Sequence, residues 1–153
     1  MDFAVFNTPM GALKAVQEGE YLTELTYVGR FAQEVPPQTD LLKNLYLQLV
    51  DYFEGSLKEF TVPYTLKVSP YRQRVLTELA KVPYGQTVTY KDLAIATGNP
   101  GAVRAVGSAM RTNPIVLIVP CHRVVKTDGS LGNYSAGGPA NKEWLLAFEN
   151  QNR

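Results

Sequence analysis

The spacing of apolar residues differs between the two halves of the chain. In residues 1–28, short apolar runs alternate with turn residues, and this pattern predicts short strands joined by tight turns. The next apolar residues recur every three or four positions after Thr39 or Asp40, either of which can cap the start of a helix. The apolar face of that helix is expected to comprise Leu41, Leu42, Leu45, Leu49 and Phe53. The first half is therefore predicted to be a small strand-rich unit with one helix.

The middle of the second half predicts two short helices in succession. Thr89 and Asp92 form the pattern of a capping box, in which each side chain bonds a backbone N–H at the helix start, and Gly98 ends this helix. Asn99-Pro100 is expected to cap another helix that runs to about Arg111. Two short helices joined by a tight connection predict a helix-turn-helix.

Further elements are predicted on both sides of this pair of helices. Ser69-Pro70 predicts a helix start, because a proline at the first helical position needs no partner for its missing N–H. The apolar run Ile115–Val119 predicts a buried strand or extended segment that leads towards residue 121. A final helix is expected over about residues 141–149, with its inward face formed by Trp144, Leu145 and Phe148.

Charge is distributed unevenly between the two halves. Residues 1–69 carry 5 Lys and Arg against 9 Asp and Glu, a net −4, whereas residues 70–153 carry 10 against 5, a net +5. A basic half suggests an anionic partner such as nucleic acid. No apolar run reaches the roughly 18 residues that span a bilayer, and no basic signal-peptide start is present, so a cytoplasmic protein without membrane contact is expected.

The chain holds one cysteine, Cys121, and one histidine, His122. A single cysteine forms no internal disulfide, and the pair is too few for a structural zinc site with its usual four ligands. We therefore expect neither a metal nor a cofactor. Cys121 is either a buried filler or a reactive thiol, and its neighbour favours the second interpretation. An imidazole can take the thiol proton, directly or through a water, and so raise the thiolate fraction.

These residues lie in Pro120-Cys121-His122-Arg123-Val124, and the chain here resembles the O6-alkylguanine-DNA alkyltransferases, or methylated-DNA–protein-cysteine methyltransferases. The resemblance covers roughly residues 70–149, and the first 68 residues resemble the family only in architecture. Further matching segments are Val82-Pro83-Tyr84-Gly85, Thr87-Val88-Thr89-Tyr90, Leu93-Ala94, Arg104-Ala105-Val106-Gly107, Ala109-Met110, Asn113-Pro114, Gly132-Asn133-Tyr134-Ser135 and Lys142-Glu143-Trp144-Leu145-Leu146.

The resemblance implies an α+β fold. A strand-rich, ribonuclease H-like lobe of mainly structural role would occupy residues 1–68. A mostly helical domain with the helix-turn-helix would occupy residues 69–153. It also implies repair of double-stranded DNA by a monomer that docks in the minor groove and flips out the damaged nucleotide. The alkyl group of O6-alkylguanine, and of O4-alkylthymine, would pass irreversibly to Cys121 in a single turnover.

Roles for individual side chains follow from the same resemblance. Cys121 would accept the alkyl group, with His122 as the base through a water and Glu149 orienting that base. Asn113 would hold the turn around the cysteine, and Tyr90 would donate a proton or hydrogen bond as guanine leaves. Arg104 would replace the extruded base in the helix, and the DNA surface would comprise Arg104, Ala105, Gly107, Thr89, Arg111 and Arg123. The sequence does not decide whether Arg123 contacts a phosphate or a carboxylate. The substrate pocket would be lined by Tyr134, Ser135, Met110 and Val124.

Two other classes of function use the same residues. A thiol hydrolase would also pair Cys121 with His122, but it would need an oxyanion hole. A DNA-binding regulator would use the two short helices and leave Cys121 idle. The product distinguishes the three classes, since they give a covalent alkyl adduct, a free acid or no product.

Overall fold

The first lobe is built on a three-stranded antiparallel sheet. The computed structural model describes all residues 1–153, and the strands are β1 (Asp2–Thr8), β2 (Gly11–Glu18) and β3 (Tyr21–Tyr27), in the order β1-β2-β3. Thr8 pairs with Gly11 across the first turn, so the predicted tight turn and short strands are confirmed. Val5 and Val35 form an isolated bridge beyond the outer strand.

Helix α1 (Asp40–Phe53) packs on β1 and β2. Thr39 is its cap, since its hydroxyl accepts from the Leu42 N–H at 3.1 Å. The predicted apolar face is correct at Leu42, Leu45 and Leu49, which are all buried. The inward position at the C-terminal end belongs to Tyr52, which is 1% exposed, whereas Phe53 is only partly buried.

The second half contains α2 (Pro70–Leu79), α3 (Tyr90–Ala96) and α4 (Val103–Arg111), which pack on one another. The caps predicted for α2 and α3 are confirmed, including both hydrogen bonds of the capping box. The predicted start of α4 is wrong. The Asn99 side chain accepts from the Gly101 N–H at 3.1 Å in a turn, which delays the helix to Val103.

Two predicted segments also differ in the last third of the chain. Residues 115–119 are largely buried, as predicted, but they do not form a strand. Ile115 makes an isolated parallel bridge with Leu25, turns follow it, and Leu117 adopts a left-handed φ of 72°. Helix α5 (Gly138–Gln151) begins three residues earlier than expected. Trp144 is 40% exposed and stacks on Phe148 with ring centroids 5.1 Å apart, so it does not point into the core as predicted.

Backbone hydrogen bonds within the second half, and between the two halves, position the loops around Cys121. Strands β4 (Val88–Thr89) and β5 (Val124–Val125) pair in parallel, which brings the start of α3 beside the segment after Cys121. The Leu25 N–H donates to Pro114 O at 2.8 Å, so β3 supports the loop before Cys121. The main hydrophobic cluster contains residues of both halves. None of the helices combines the length and the apolarity needed to cross a membrane.

Candidate active site

Asn113 fixes the loop that carries Cys121. Its amide Nδ2 donates to Val119 O at 2.8 Å, and its Oδ1 accepts from the Ile115 N–H at 3.0 Å. The Cys121 N–H in turn donates to Val119 O at 2.8 Å, at the start of a 3-10 turn over Cys121–Arg123. One amide side chain therefore closes a loop that has no regular secondary structure of its own.

The Cys121 thiol is 3% exposed, in a mixed electrostatic environment. Burial raises the pKa of Cys121, because a buried thiolate loses its hydration. The Asn113 amide and the positive charge of Lys142 act in the opposite direction and favour the thiolate. The protein thus holds a thiol that is protonated at rest and has a cation near it once the proton leaves.

His122 is fully buried and hydrogen-bonded to one carboxylate. Its Nε2 lies 2.8 Å from Glu149 Oε2. Burial lowers the pKa of His122 and outweighs the opposing effect of Glu149, so the ring is neutral at pH 7. Because an ionised carboxylate only accepts hydrogen bonds, the ring hydrogen is on Nε2. The buried Nδ1 has no hydrogen-bond partner in the chain and presents its lone pair as an acceptor.

Glu149 is the centre of a buried hydrogen-bond network. Burial by itself would raise the pKa of Glu149, but hydrogen bonds from His122 and Arg123 and their charges hold it well below its usual range. Arg123 binds the carboxylate with two nitrogens, at 2.8 and 2.9 Å. The Tyr52 hydroxyl also donates to Oε2, at 2.6 Å.

Of the two partners considered for Arg123, a phosphate and a carboxylate, the structure contains the carboxylate, so the predicted DNA contact is wrong. Its guanidinium is occupied by Glu149 and by Val82 O at 2.8 Å, and the residue is 7% exposed. Three of the five guanidinium N–H groups bond internal acceptors, and burial keeps the guanidinium away from a DNA phosphate.

Tyr90 and Lys142 face each other beside the cysteine. Lys142 is 1% exposed, and its Nζ lies 3.4 Å from the Tyr90 hydroxyl and 3.3 Å from Asn133 O. Burial lowers the pKa of Lys142 to about 8. A Cβ added to Gly132, whose φ is +76°, would lie 2.8 Å from the Tyr90 hydroxyl, so glycine at this position leaves room for the phenol.

A cavity of about 120 Å³ opens above Cys121. It contains Tyr90 and three of the four predicted pocket residues, and its lining residues are Tyr90, Gly107, Met110, Arg111, Cys121, Lys126, Gly132, Asn133, Tyr134 and Ser135. The prediction for Val124 is wrong. Its side chain is fully buried in β5, behind the 3-10 turn, and does not line the cavity.

A larger groove of about 570 Å³ adjoins this cavity along α4. Arg104, Gly107 and Arg111 line it, as does Tyr90, which also lines the cavity. The groove further contains Lys91, Val103, Lys126 and Thr127. Ala105 is exposed on α4 outside the groove lining, and Thr89 is half-buried as the α3 cap. Cys121 therefore lies at the bottom of an opening in a basic groove.

Sequence reasoning did not assign three residues of the site, Tyr52, Lys126 and Lys142. Lys142 had a detectable signal, since it lies three and seven residues before Leu145 and Glu149 and so shares their buried helical face. A lysine at such a position marks a buried cation. Tyr52 and Lys126 had no local signal, because their places depend on packing between distant segments.

Comparisons with known proteins identify the family of the chain. A family model described as 6-O-methylguanine DNA methyltransferase, DNA binding domain, matches residues 70–151. A methylated-DNA–protein-cysteine methyltransferase of Mus musculus is 56% identical over 80 residues, which are 52% of this chain but only 38% of the mouse protein. One from Methanosarcina acetivorans is 37% identical over 154 residues, covering 97% of this chain and 98% of its own.

The fold matches a crystal structure of Mycobacterium tuberculosis OGT in complex with DNA. The TM-score is 0.85 with 37% identity, covering 97% of this chain and 92% of that one. The site combines a buried cysteine and histidine with a basic groove, on a fold shared with proteins that bind DNA. The chain belongs to the 6-O-methylguanine DNA methyltransferase family.

Proposed function

We propose that this chain repairs alkylated DNA by transferring the alkyl group from O6 of guanine to Sγ of its own Cys121. The observation that carries the proposal is the position of Cys121, below a cavity that opens into the α4 groove and next to the His122–Glu149 pair. The same reaction is supported by the mouse and Methanosarcina acetivorans relatives, which are methylated-DNA–protein-cysteine methyltransferases. O4-alkylthymine, which also carries its alkyl group on an exocyclic oxygen, is proposed as a second substrate.

The thiol loses its proton through His122. Nδ1 takes the proton through one bridging water, and Glu149 stabilises the resulting imidazolium as a positioning residue. The thiolate attacks the alkyl carbon in line, so the S–C bond forms as the C–O6 bond breaks and the electron pair remains on guanine. Tyr90 gives guanine a proton, and the adjacent Lys142 ammonium stabilises the phenolate. The thioether product has no easy reverse step, so each molecule reacts once.

The damaged nucleotide must leave the duplex to reach Cys121. The target oxygen lies inside the base stack, and Cys121 is only 3% exposed at the bottom of its cavity. We propose that α3 and α4 act as a helix-turn-helix in the minor groove, where the small side chains of Ala105 and Gly107 allow close approach. Arg104, exposed on the same helix, would fill the space left by the base. Arg111 and Lys126, at the cavity entrance, would contact phosphates.

We assign separate roles to the two halves of the chain. Residues 69–153 would form the DNA-binding and alkyl-acceptor domain of a monomer. Residues 1–68, with the sheet and α1, would form a ribonuclease H-like lobe that supports the loop before Cys121 through Leu25 and Pro114.

Intact mass tests the reaction. Wild type and Cys121→Ala are incubated with a duplex that carries one O6-methylguanine, and with the same duplex carrying guanine. A gain of about 14 Da in wild type alone, and only with the damaged duplex, is expected for transfer of one methyl group to Cys121. With excess damaged DNA the gain should stop at one methyl per protein. No gain with DNA binding retained would reject alkyl transfer and favour a DNA-binding regulator.

Arg104→Ala tests nucleotide flipping. This variant should react more slowly with the damaged duplex, because nothing replaces the extruded base. Its reaction with a free O6-alkylguanine base, which needs no flipping, should match wild type. Equal loss with both substrates would contradict the role proposed for Arg104.

A further inference from the structure

Glu149 accepts one hydrogen bond from the first half of the chain. The Tyr52 hydroxyl on α1 donates to Oε2 at 2.6 Å across 97 positions of sequence. This oxygen is the same one that binds His122 Nε2 at 2.8 Å. Tyr52 lies outside residues 70–151, the region that the family model matches. A residue of the first lobe therefore contacts the carboxylate that binds the histidine next to the cysteine.

The surroundings of Tyr52 leave its hydroxyl no other partner. The residue is 1% exposed, and its ring packs edge-on against Phe53 and Tyr84, at 5.0 and 6.0 Å between centroids, and against Phe60 and Phe148. Burial and the Glu149 charge raise the pKa of Tyr52 far above its ordinary value, so the phenol remains a donor at every working pH. A fixed donor in a rigid aromatic cage holds its acceptor in one place.

The donors to Glu149 share one negative charge. Oε2 accepts from Tyr52, His122 and Arg123, and Oε1 accepts from Arg123 and, at 3.4 Å, from the Gly85 N–H. The other ionisable groups that face this network are Lys142 and the phenols of Tyr84 and Tyr134, the last of which packs edge-on against the His122 ring at 6.5 Å between centroids. If the Tyr52 hydroxyl is removed, more of the carboxylate charge acts on His122. That change favours the imidazolium, which cannot accept the proton of Cys121.

We propose that Tyr52 is a positioning residue for alkyl transfer, whose hydroxyl holds Glu149 and keeps His122 neutral with its Nδ1 lone pair free. This inference rests on the proposed function, in which His122 takes the thiol proton. It gives the first lobe a direct part in the chemistry, in addition to its structural support of the loop before Cys121.

Tyr52→Phe removes only the hydroxyl. Tyr71→Phe is the matched control, because the Tyr71 hydroxyl is also buried but has no partner. The chain has one histidine, so ¹⁵N NMR of imidazole-labelled protein reports the protonation of His122 without overlap. We expect the His122 titration midpoint to rise by about one pH unit in Tyr52→Phe, equivalent to a tenfold change in the protonation equilibrium. Tyr71→Phe should titrate as wild type.

The single-turnover rate constant at saturating damaged DNA gives the kinetic readout. Tyr52→Phe should be about tenfold slower than wild type on the acid limb, where a midpoint about one pH unit higher leaves about a tenth as much neutral His122. The rates of the two proteins should converge at alkaline pH, and the active fraction, measured by the final mass gain, should not change. A merely structural role would lower the active fraction or the melting temperature and leave the pH profile in place. That result, or an equal slowing at every pH, would overturn the proposal.

Replacement of Tyr52 by 3-fluorotyrosine keeps the ring and makes the phenol a stronger donor. It should move the His122 titration in the opposite direction, to lower pH, even if Tyr52→Phe folds poorly. An unchanged His122 titration in the fluorinated protein would overturn the proposal. If wild type gains no methyl group, the proposed function fails, but the NMR titrations still decide whether Tyr52 controls His122.

Discussion

The Arg123–Glu149 pair tests how much the buried network contributes to stability. Arg123→Met keeps most of the side-chain volume but removes the bidentate ion pair to Glu149, which is 1% exposed. Removing one member of a buried pair leaves an uncompensated charge and costs about 3–5 kcal/mol. For a chain of 153 residues this corresponds to a fall in Tm of roughly 6–20 °C. Urea denaturation and calorimetry measure both quantities.

The exposed Lys67–Glu18 pair is the matched control. Its nitrogen and oxygen are 2.7 Å apart, but its side chains are 58% and 43% exposed. Water and salt screen such a pair, so Lys67→Met should leave the unfolding midpoint nearly unchanged. Equal effects of the two substitutions, or a loss below about 1 kcal/mol in Arg123→Met, would refute the view that burial decides the contribution of the pair.

The effect of Arg123→Met should also depend on pH in a defined direction. Because hydrogen bonds and nearby charges hold the pKa of Glu149 far below its ordinary value, its contribution is present above about pH 4.3, the pKa of an unfolded glutamate. It is lost as pH falls through the lower pKa of the folded state. The difference between wild type and variant should therefore be largest near pH 8 and shrink as pH falls, first because loss of the Arg123 charge favours protonation of His122 beside the carboxylate, and then because Glu149 itself is protonated in stronger acid.

Three further predictions concern single side chains. Lys142→Met should slow alkyl transfer. It should also raise the free energy of unfolding at pH 7 by up to about 3 kcal/mol in urea denaturation, because burial holds the pKa of Lys142 at about 8. This gain should disappear as pH rises to about 10.5, where an unfolded lysine also loses its charge. Asn113→Ala removes two buried hydrogen bonds and should cost about 2–4 kcal/mol, with an unchanged urea midpoint as the contrary result. Gly132→Ala should slow alkyl transfer by displacing Tyr90, whereas Gly129→Ala, also at positive φ but with no atom within 4 Å of the added Cβ, should affect stability alone.

Local signals predicted much of the secondary structure. The capping box of Thr89 and Asp92 and the helix start at Ser69-Pro70 depend on bonds within four residues, and the structure contains both. The predicted start of α4 was wrong because the Asn99 side chain can either cap a helix or close a turn. In the structure it closes a turn. The exposure of Trp144 was not predicted, because the spacing of apolar residues along α5 does not show which of its faces α1 and the sheet cover.

The centre of the site was predictable only in part. Cys121 and His122 are adjacent in sequence, and their chemistry suggested a reactive pair before any geometry was known. The role of Arg123 could not be derived in this way, because its acceptors, Val82 and Glu149, are 41 and 26 positions away. The parallel pair of β4 and β5, which sets Tyr90 beside Cys121, is too short to leave a periodic pattern.

Buried polar residues mark this site without reference to any relative. The chain buries seven polar or charged residues, namely Thr23, Asn113, His122, Arg123, Asn141, Lys142 and Glu149. Such groups cost stability unless each finds partners, so a fold that needs only a core would place apolar residues there. Five of them bond to each other or surround Cys121, and Asn141 ties the start of α5 to Met10 O at 2.6 Å. The cost is therefore concentrated around Cys121, as expected if these polar groups serve the proposed chemistry and not stability.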